Sequence, residues 1–130
     1  MTTKLIDKEE LEKEVLDWKY THKPSERLGQ LLLDLHDNIL MLNNFNKYSD
    51  DIKADMRGNS ILKLMKNGLK SYDPSYGPRA FSYLTQAIYR SYQTTLRDYY
   101  RKLNSWQRWI KGQVDFDFDT SETQETNKEN

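Results

Sequence analysis

The chain has no cysteine, only three prolines and five glycines in 130 residues, and no formal net charge. Lack of cysteine excludes a disulfide scaffold and any zinc–thiolate site, and it suits a reducing cytoplasm. No apolar run approaches the roughly 18 residues that a membrane span needs. The first residues, Met-Thr-Thr-Lys-Leu-Ile-Asp-Lys-Glu-Glu, lack the apolar stretch of a signal peptide. These absences predict a cytoplasmic protein with no membrane association. Histidine is scarce too. His22 precedes a proline loop and His36 lies beside an apolar stripe, and neither stands near a nucleophile or paired carboxylate at a telling spacing. We therefore expect no enzyme, no metal and no cofactor. With 36% hydrophobic residues and a mean hydropathy of −0.96, the core can only be modest, as in a single small domain.

The zero net charge argues against nucleic acid only until it is divided along the chain. Residues 1–52 carry 7 basic and 11 acidic side chains, a net of −4. Residues 53–112 carry 12 basic and 3 acidic, a net of +9. Residues 113–130 carry 1 basic and 6 acidic, a net of −5. A basic block of sixty residues lies between two acidic ones.

The periodicity is helical almost throughout, which predicts an all-α bundle of about four helices over residues 1–112. Asp7 and Glu10 stand at capping-box spacing before a stripe of Leu11, Val15 and Trp18. Thr21 to Pro24 ends that helix and Ser25 caps the next, whose stripe is Leu28, Leu31, Leu32, Leu35, Ile39 and Leu42. A third helix is expected from Asp50 or Asp51, carrying Ile52, Met56, Ile61, Leu62, Met65 and Leu69, with Gly58 and Gly68 as weak points. The loop from Tyr72 to Pro78 is rich in turn formers, and Pro78 suits the first turn of a fourth, long helix. In that helix Phe81, Leu84, Ile88, Tyr92, Thr95, Leu96, Tyr99, Leu103, Trp106 and Ile110 recur every three or four residues. Gly112 is expected to end it, and Asn104-Ser105 is a candidate break. Residues 113–130, rich in Ser, Thr, Glu and Asn, are expected to form a disordered acidic tail.

The fourth helix has an unusual composition. Eight aromatics occur between Phe81 and Ile110, and Tyr83, Tyr89, Tyr100 and Trp109 fall off the apolar stripe. Arg79, Arg90, Arg97, Arg101, Lys102, Arg108 and Lys111 lie among or beside them, with Asp98 the one acid. Basic groups neutralise phosphates, and exposed aromatic faces stack on unpaired bases. The pattern points to single-stranded or melted nucleic acid. Its plain alternative is an amphipathic helix with partly packed tyrosines and solvated arginines.

The stretch Ser71-Tyr72-Asp73-Pro74 followed by Pro78-Arg79-Ala80-Phe81-Ser82-Tyr83-Leu84-Thr85-Gln86-Ala87-Ile88 resembles region 2 of bacterial sigma factors. Within that family it is most similar to the short late-transcription sigma factors of large tailed bacteriophages. These share a Tyr-Ile-Thr-Gln-Ala run matching Tyr83 to Ala87 and an Ile-Asp-Trp-Lys run matching Leu16 to Lys19. The likeness covers about residues 14–20 and 50–103. It implies a subunit, acting in the host bacterial cytoplasm, that binds RNA polymerase core and directs it to phage late promoters. The helix before the loop would dock on the coiled coil of the largest polymerase subunit, through Asp55, Asn59 and Met65 with Arg57 and Lys63 flanking. The next helix would meet promoter DNA. Tyr83 matches an aromatic that stacks on a flipped base of the −10 element. Arg90 and Gln93 match positions that read its upstream duplex edge. Arg79, Gln86, Tyr89, Arg97 and Arg101 complete the expected DNA-binding set.

The chain also departs from the family. Gln86 and Ala87 stand where housekeeping sigma factors carry a Trp-Trp wedge. The wedge must be weaker, come from Tyr89 or Tyr92, or be supplied by another protein. One residue is missing between Ser82 and Tyr83, which leaves the register there open by one. No chain remains for a domain that reads the −35 element, so the resemblance implies a weak promoter binder that uses a co-activator such as the replication sliding clamp. Val114, Phe116 and Phe118, alternating with aspartates, resemble a loose form of the family's clamp-binding tail; a segment folding back on the domain is the competing reading. Two other functions stay open: a single-stranded nucleic-acid-binding module without polymerase, and a helical protein-interaction scaffold.

Overall fold

The structure, a computed structural model, describes residues 3–77 and 79–115, with side chains to residue 112. It is all-helical, and no strand occurs among the described residues. Helix α1 spans Lys8–Thr21, α2 Glu26–Leu40 and α3 Asp50–Lys63. A π-helical turn, Leu64–Gly68, joins α3 without a break to the short α4, Leu69–Ser71. Helix α5 is Ala80–Asp115. The expected helix start at Pro78 and the tail residues Phe116 and Phe118 lie outside the described residues.

The helix starts follow from their capping residues. The Asp7 carboxylate accepts from the backbone N–H groups of Glu9 and Glu10, Ser25 Oγ accepts from Leu28, and Ser49 Oγ accepts from Ile52. Each satisfies donors that a helix start leaves unpaired. Helix α1 ends with His22 in the left-handed region (φ 57), its N–H bonded to the Trp18 carbonyl. Gly77 (φ 48) is also left-handed, in the loop before α5, where a side chain would be strained.

Among the described residues, those up to Thr95 form one compact unit and those from Leu96 onward a second. The core of the first holds Leu11, Val15 and Trp18 of α1, Leu28, Leu31, Leu32, Leu35 and Ile39 of α2, and Leu84, Ile88 and Tyr92 of α5. The α3 stripe differs from the one its spacing predicts. Met56 and Leu69 are buried as expected, but Leu62 is 59% exposed and Met65 37% exposed, while Ser60 and Leu64 are buried. The π turn accounts for part of this. The Leu69 N–H bonds to Leu64 five residues back, so one extra residue enters the turn and the buried face shifts. Phe45, in the linker between α2 and α3, is also buried, edge-on to Tyr89 and Tyr92 at 5.0 and 5.4 Å between ring centroids.

Two polar arrangements hold the helices in register. Glu12 on α1 receives the Tyr72 hydroxyl (2.7 Å) and the backbone N–H of Ala80 (2.8 Å), so one carboxylate fixes both ends of the 72–80 connection. Its charge sits at the N-terminus of α5, where the helix dipole favours an anion. Burial, then the Glu12 carboxylate, pushes the Tyr72 hydroxyl up to about 12. Lys19 donates from the same helix to the Tyr72 carbonyl.

His36 is the second. It is fully buried on α2, with Nδ1 2.6 Å from the Leu32 carbonyl and Nε2 2.8 Å from Ser60 Oγ on α3. A carbonyl only accepts, so Nδ1 carries the proton and Nε2 accepts from the Ser60 hydroxyl. The Tyr92 hydroxyl donates to the His36 carbonyl at 3.0 Å, tying α5 to the same point.

Burial lowers the His36 pKa from its ordinary 6.5. Below pH 6.5 the unfolded chain therefore binds more protons at this site than the folded one. Stability from His36 is complete above about pH 6.5 and is lost as the pH falls towards the folded value, with a slope of at most about 1.4 kcal/mol per pH unit. Urea midpoints measured between roughly pH 7.5 and pH 5 should fall in the native protein, and His36→Gln should flatten that slope.

Candidate nucleic-acid interface

Within the first unit, α5 turns one face to the core through Ala80, Leu84, Ile88 and Tyr92. Gln86, Arg90 and Gln93 lie opposite at spacings of four and three residues, and all three are exposed. A helical period of about 3.6 residues puts them in one row. Among the described residues Arg90 has no ion-pair partner. Its guanidinium is available for an outside acceptor. Arg79, just before the helix, has a 65% exposed side chain 3.9 Å from Glu12.

The two tyrosines expected to meet bases are already engaged. Tyr83 is half-buried, its hydroxyl donates to the Gly68 carbonyl at 2.7 Å, and its ring lies 5.2 Å from that of Tyr72. The π turn thus presents the carbonyl that fixes Tyr83. Tyr89 is half-buried, its ring edge-on to Phe45, and its hydroxyl accepts from the Asn44 side chain. Tyr92, one of the alternative wedges, is fully buried among Phe45 and His36. Its insertion into a duplex would require opening the core.

The α3 residues separate into two sets. Asp55, Asn59 and Lys63 are exposed, as is Met65 in the π turn. Asn59 also donates to Thr95 Oγ1 of α5 at 3.2 Å. Arg57 does not join them. It turns towards α2, where it pairs with Asp37 at 2.6 Å, and Lys4 reaches the same carboxylate at 3.1 Å. Its role in the fold is to link α3 with α2.

In the second unit, Arg97 and Arg101 are exposed. Arg101 lies 3.7 Å from Asp98 in an open (i, i+3) pair, which contributes little to stability. Tyr99, Trp106 and Ile110, read from their spacing as a core stripe, are 39%, 57% and 38% exposed. They correct the expected extent of the core, since Leu96 is the one described stripe residue of this unit that is buried. The helix passes through Asn104-Ser105 without a break and continues beyond Gly112 to Asp115. Val114 therefore belongs to its last turn. An interior glycine costs a helix only about 1 kcal/mol, too little by itself to end one.

The most exposed large aromatics on α5 are Trp106 and Trp109. Their rings stack 5.4 Å apart at 16°, beside a cleft of about 540 Å³ lined by Arg101, Lys102, Ser105 and the two tryptophans. The DNA-binding set expected from the resemblance omits this pair, which lies beyond the matched residues, although Trp109 already falls off the apolar stripe; the signal that finds it is two indoles three residues apart beside basic residues. No cluster of three or more histidine, cysteine or acidic side chains suited to a metal occurs among the described residues. No described helix is long and apolar enough to cross a membrane.

Comparison with known protein families, with curated proteins and with solved structures finds no match to this chain.

The geometry separates structural tyrosines from surface arginines. Tyr83→Phe should cost about 1 kcal/mol in urea denaturation, from the lost bond to the Gly68 carbonyl. Arg90→Gln and Arg97→Gln should stay within about 0.5 kcal/mol of the native protein at unchanged m-value.

Proposed function

We propose that the chain is a sigma-like transcription initiation subunit, which binds bacterial RNA polymerase core and brings α5 to the −10-like element of phage late promoters. The observation that supports it best is the row of Gln86, Arg90 and Gln93. These side chains are exposed together on α5 while the helix is anchored behind them. Arg and Gln are the residue types that make paired hydrogen bonds to base edges. Asp55, Asn59, Lys63 and Met65, exposed along α3 and the π turn, supply the core-docking face in this reading. Arg57 is left to the bundle.

Melting the duplex is a separate task. Tyr92 is in the core and Tyr89 leans on Phe45, so α5 offers no free aromatic at the wedge position between Gln86 and Tyr92. Opening the duplex then falls to supercoiling, to another protein or to the polymerase itself. A sliding clamp or other co-activator is the partner that would offset this weakness, and it would be recruited through Val114, Phe116 and Phe118.

Transcription assays with purified core polymerase test the proposal. The protein with core should start RNA synthesis at AT-rich −10-like sites on pre-melted or supercoiled templates and much less on linear duplex. Arg90→Ala should weaken promoter use by about 5- to 150-fold, as one bidentate base contact is worth ~1–3 kcal/mol. Asp55→Ala with Asn59→Ala should reduce capture of core. Failure of the native protein to bind core would refute the proposal.

A further inference from the structure

We propose that Trp106 and Trp109, with Arg101 and Lys102, form a stacking platform for single-stranded nucleic acid. It rests on reading α5 as a nucleic-acid-facing helix, but it requires no polymerase and no promoter sequence.

Exposed indoles are costly. Two on one helix, each 57% exposed, leave large apolar faces in water. The two rings stack on each other at 16°, and each indole still keeps more than half of its surface in solvent. The paired rings form a flat, prestacked surface, so little side-chain freedom is lost when a third flat ring adds to it. An unpaired base is such a ring, and every base has one, which makes this contact tolerant of sequence.

The surroundings select the ligand. The cleft beside the indoles is bordered by Arg101 and Lys102, and Ser105 adds a hydroxyl. The Arg101 side chain is 70% exposed and its pairing with Asp98 is open to solvent, so a phosphate can replace the carboxylate at small cost. Lys102 is exposed as well. Adjacent bases in a strand carry one phosphate each, which matches a cationic rim beside a stacking surface. A duplex hides its base faces and offers the indoles nothing to stack on. An anionic lipid surface would also attract cations and tryptophan, but it has no preference for a prestacked ring pair.

The third tryptophan, Trp18, is buried in the core and supplies a background signal that a bound strand does not touch. Intrinsic fluorescence therefore reads the platform directly. Titration of the full chain with a single-stranded dT oligonucleotide should quench tryptophan emission, with affinity falling as salt rises. Trp106→Ala and Trp109→Ala should each weaken binding by roughly 5- to 150-fold, the range for loss of one base stack. Circular dichroism should show both variants still folded, since neither ring lies in the core. Arg101→Gln with Lys102→Gln should lower the slope of log affinity against log salt by about 1.4, for two phosphate contacts on a single strand. Equal affinity for blunt duplex of the same length would overturn the proposal. So would unchanged affinity in the tryptophan variants, or binding to phosphatidylglycerol vesicles without binding to the oligonucleotide. Loss of polymerase binding with retained oligonucleotide binding would refute the sigma-like reading alone, and the reverse would refute the platform alone.

Discussion

A single carboxylate carries much of this fold. Glu12 sits on α1, yet it receives a hydroxyl from Tyr72 at the end of the α3–α4 run and the first backbone N–H of α5. Three helical segments meet on its two oxygens. An acid in that position also balances the positive end of the helix that follows. It ties the end of the α3–α4 run to the start of α5, and the packing of Leu84, Ile88 and Tyr92 then holds the row of Gln86, Arg90 and Gln93 on the opposite face. The first turn of α5 is thus tied to a residue 68 positions before the helix begins.

The interior completes the constraint from the opposite side. His36 joins α2 to α3 through Ser60 and to α5 through its own carbonyl and the Tyr92 hydroxyl. Buried polar groups of this kind are costly unless every partner is in place, so they specify one arrangement of helices. Phe45 fills the space between Tyr89 and Tyr92 from a linker, so both of these aromatics on α5 pack against the fold.

Much of this is legible in the chain, and the rest is concealed for physical reasons. Caps at Asp7 and Ser25 and the stripes of α1 and α2 depend on local chemistry and spacing, and the structure has both except at Leu42, which lies beyond the end of α2 at Leu40 and is 46% exposed. The α3 face departs from its spacing because Ser60 is polar and Leu64 lies where a π turn adds a residue, and neither breaks a pattern visible in the sequence. Arg57 reads as a surface cation, yet its partner Asp37 lies twenty residues away. Period alone does not tell whether a stripe finds something to cover it, so Tyr99, Trp106 and Ile110 read as core and are exposed. Glu12 is one acid among many in an acidic segment, and nothing local marks it out. The exposure of Gln86, Arg90, Gln93, Arg97 and Arg101 matches their placement off the stripe, whereas the engagement of Tyr83 with Gly68 needs the third dimension.

Coupling of Tyr72 to the start of α5 through Glu12 is the point on which the account turns. A double-mutant cycle between Glu12→Gln and Tyr72→Phe, read by urea denaturation, tests it most directly. The two changes should fall short of additivity by about 1 kcal/mol or more, as expected for a hydrogen bond to a charged group. Additive losses would show that the two side chains act independently, and would contradict the organising role of Glu12.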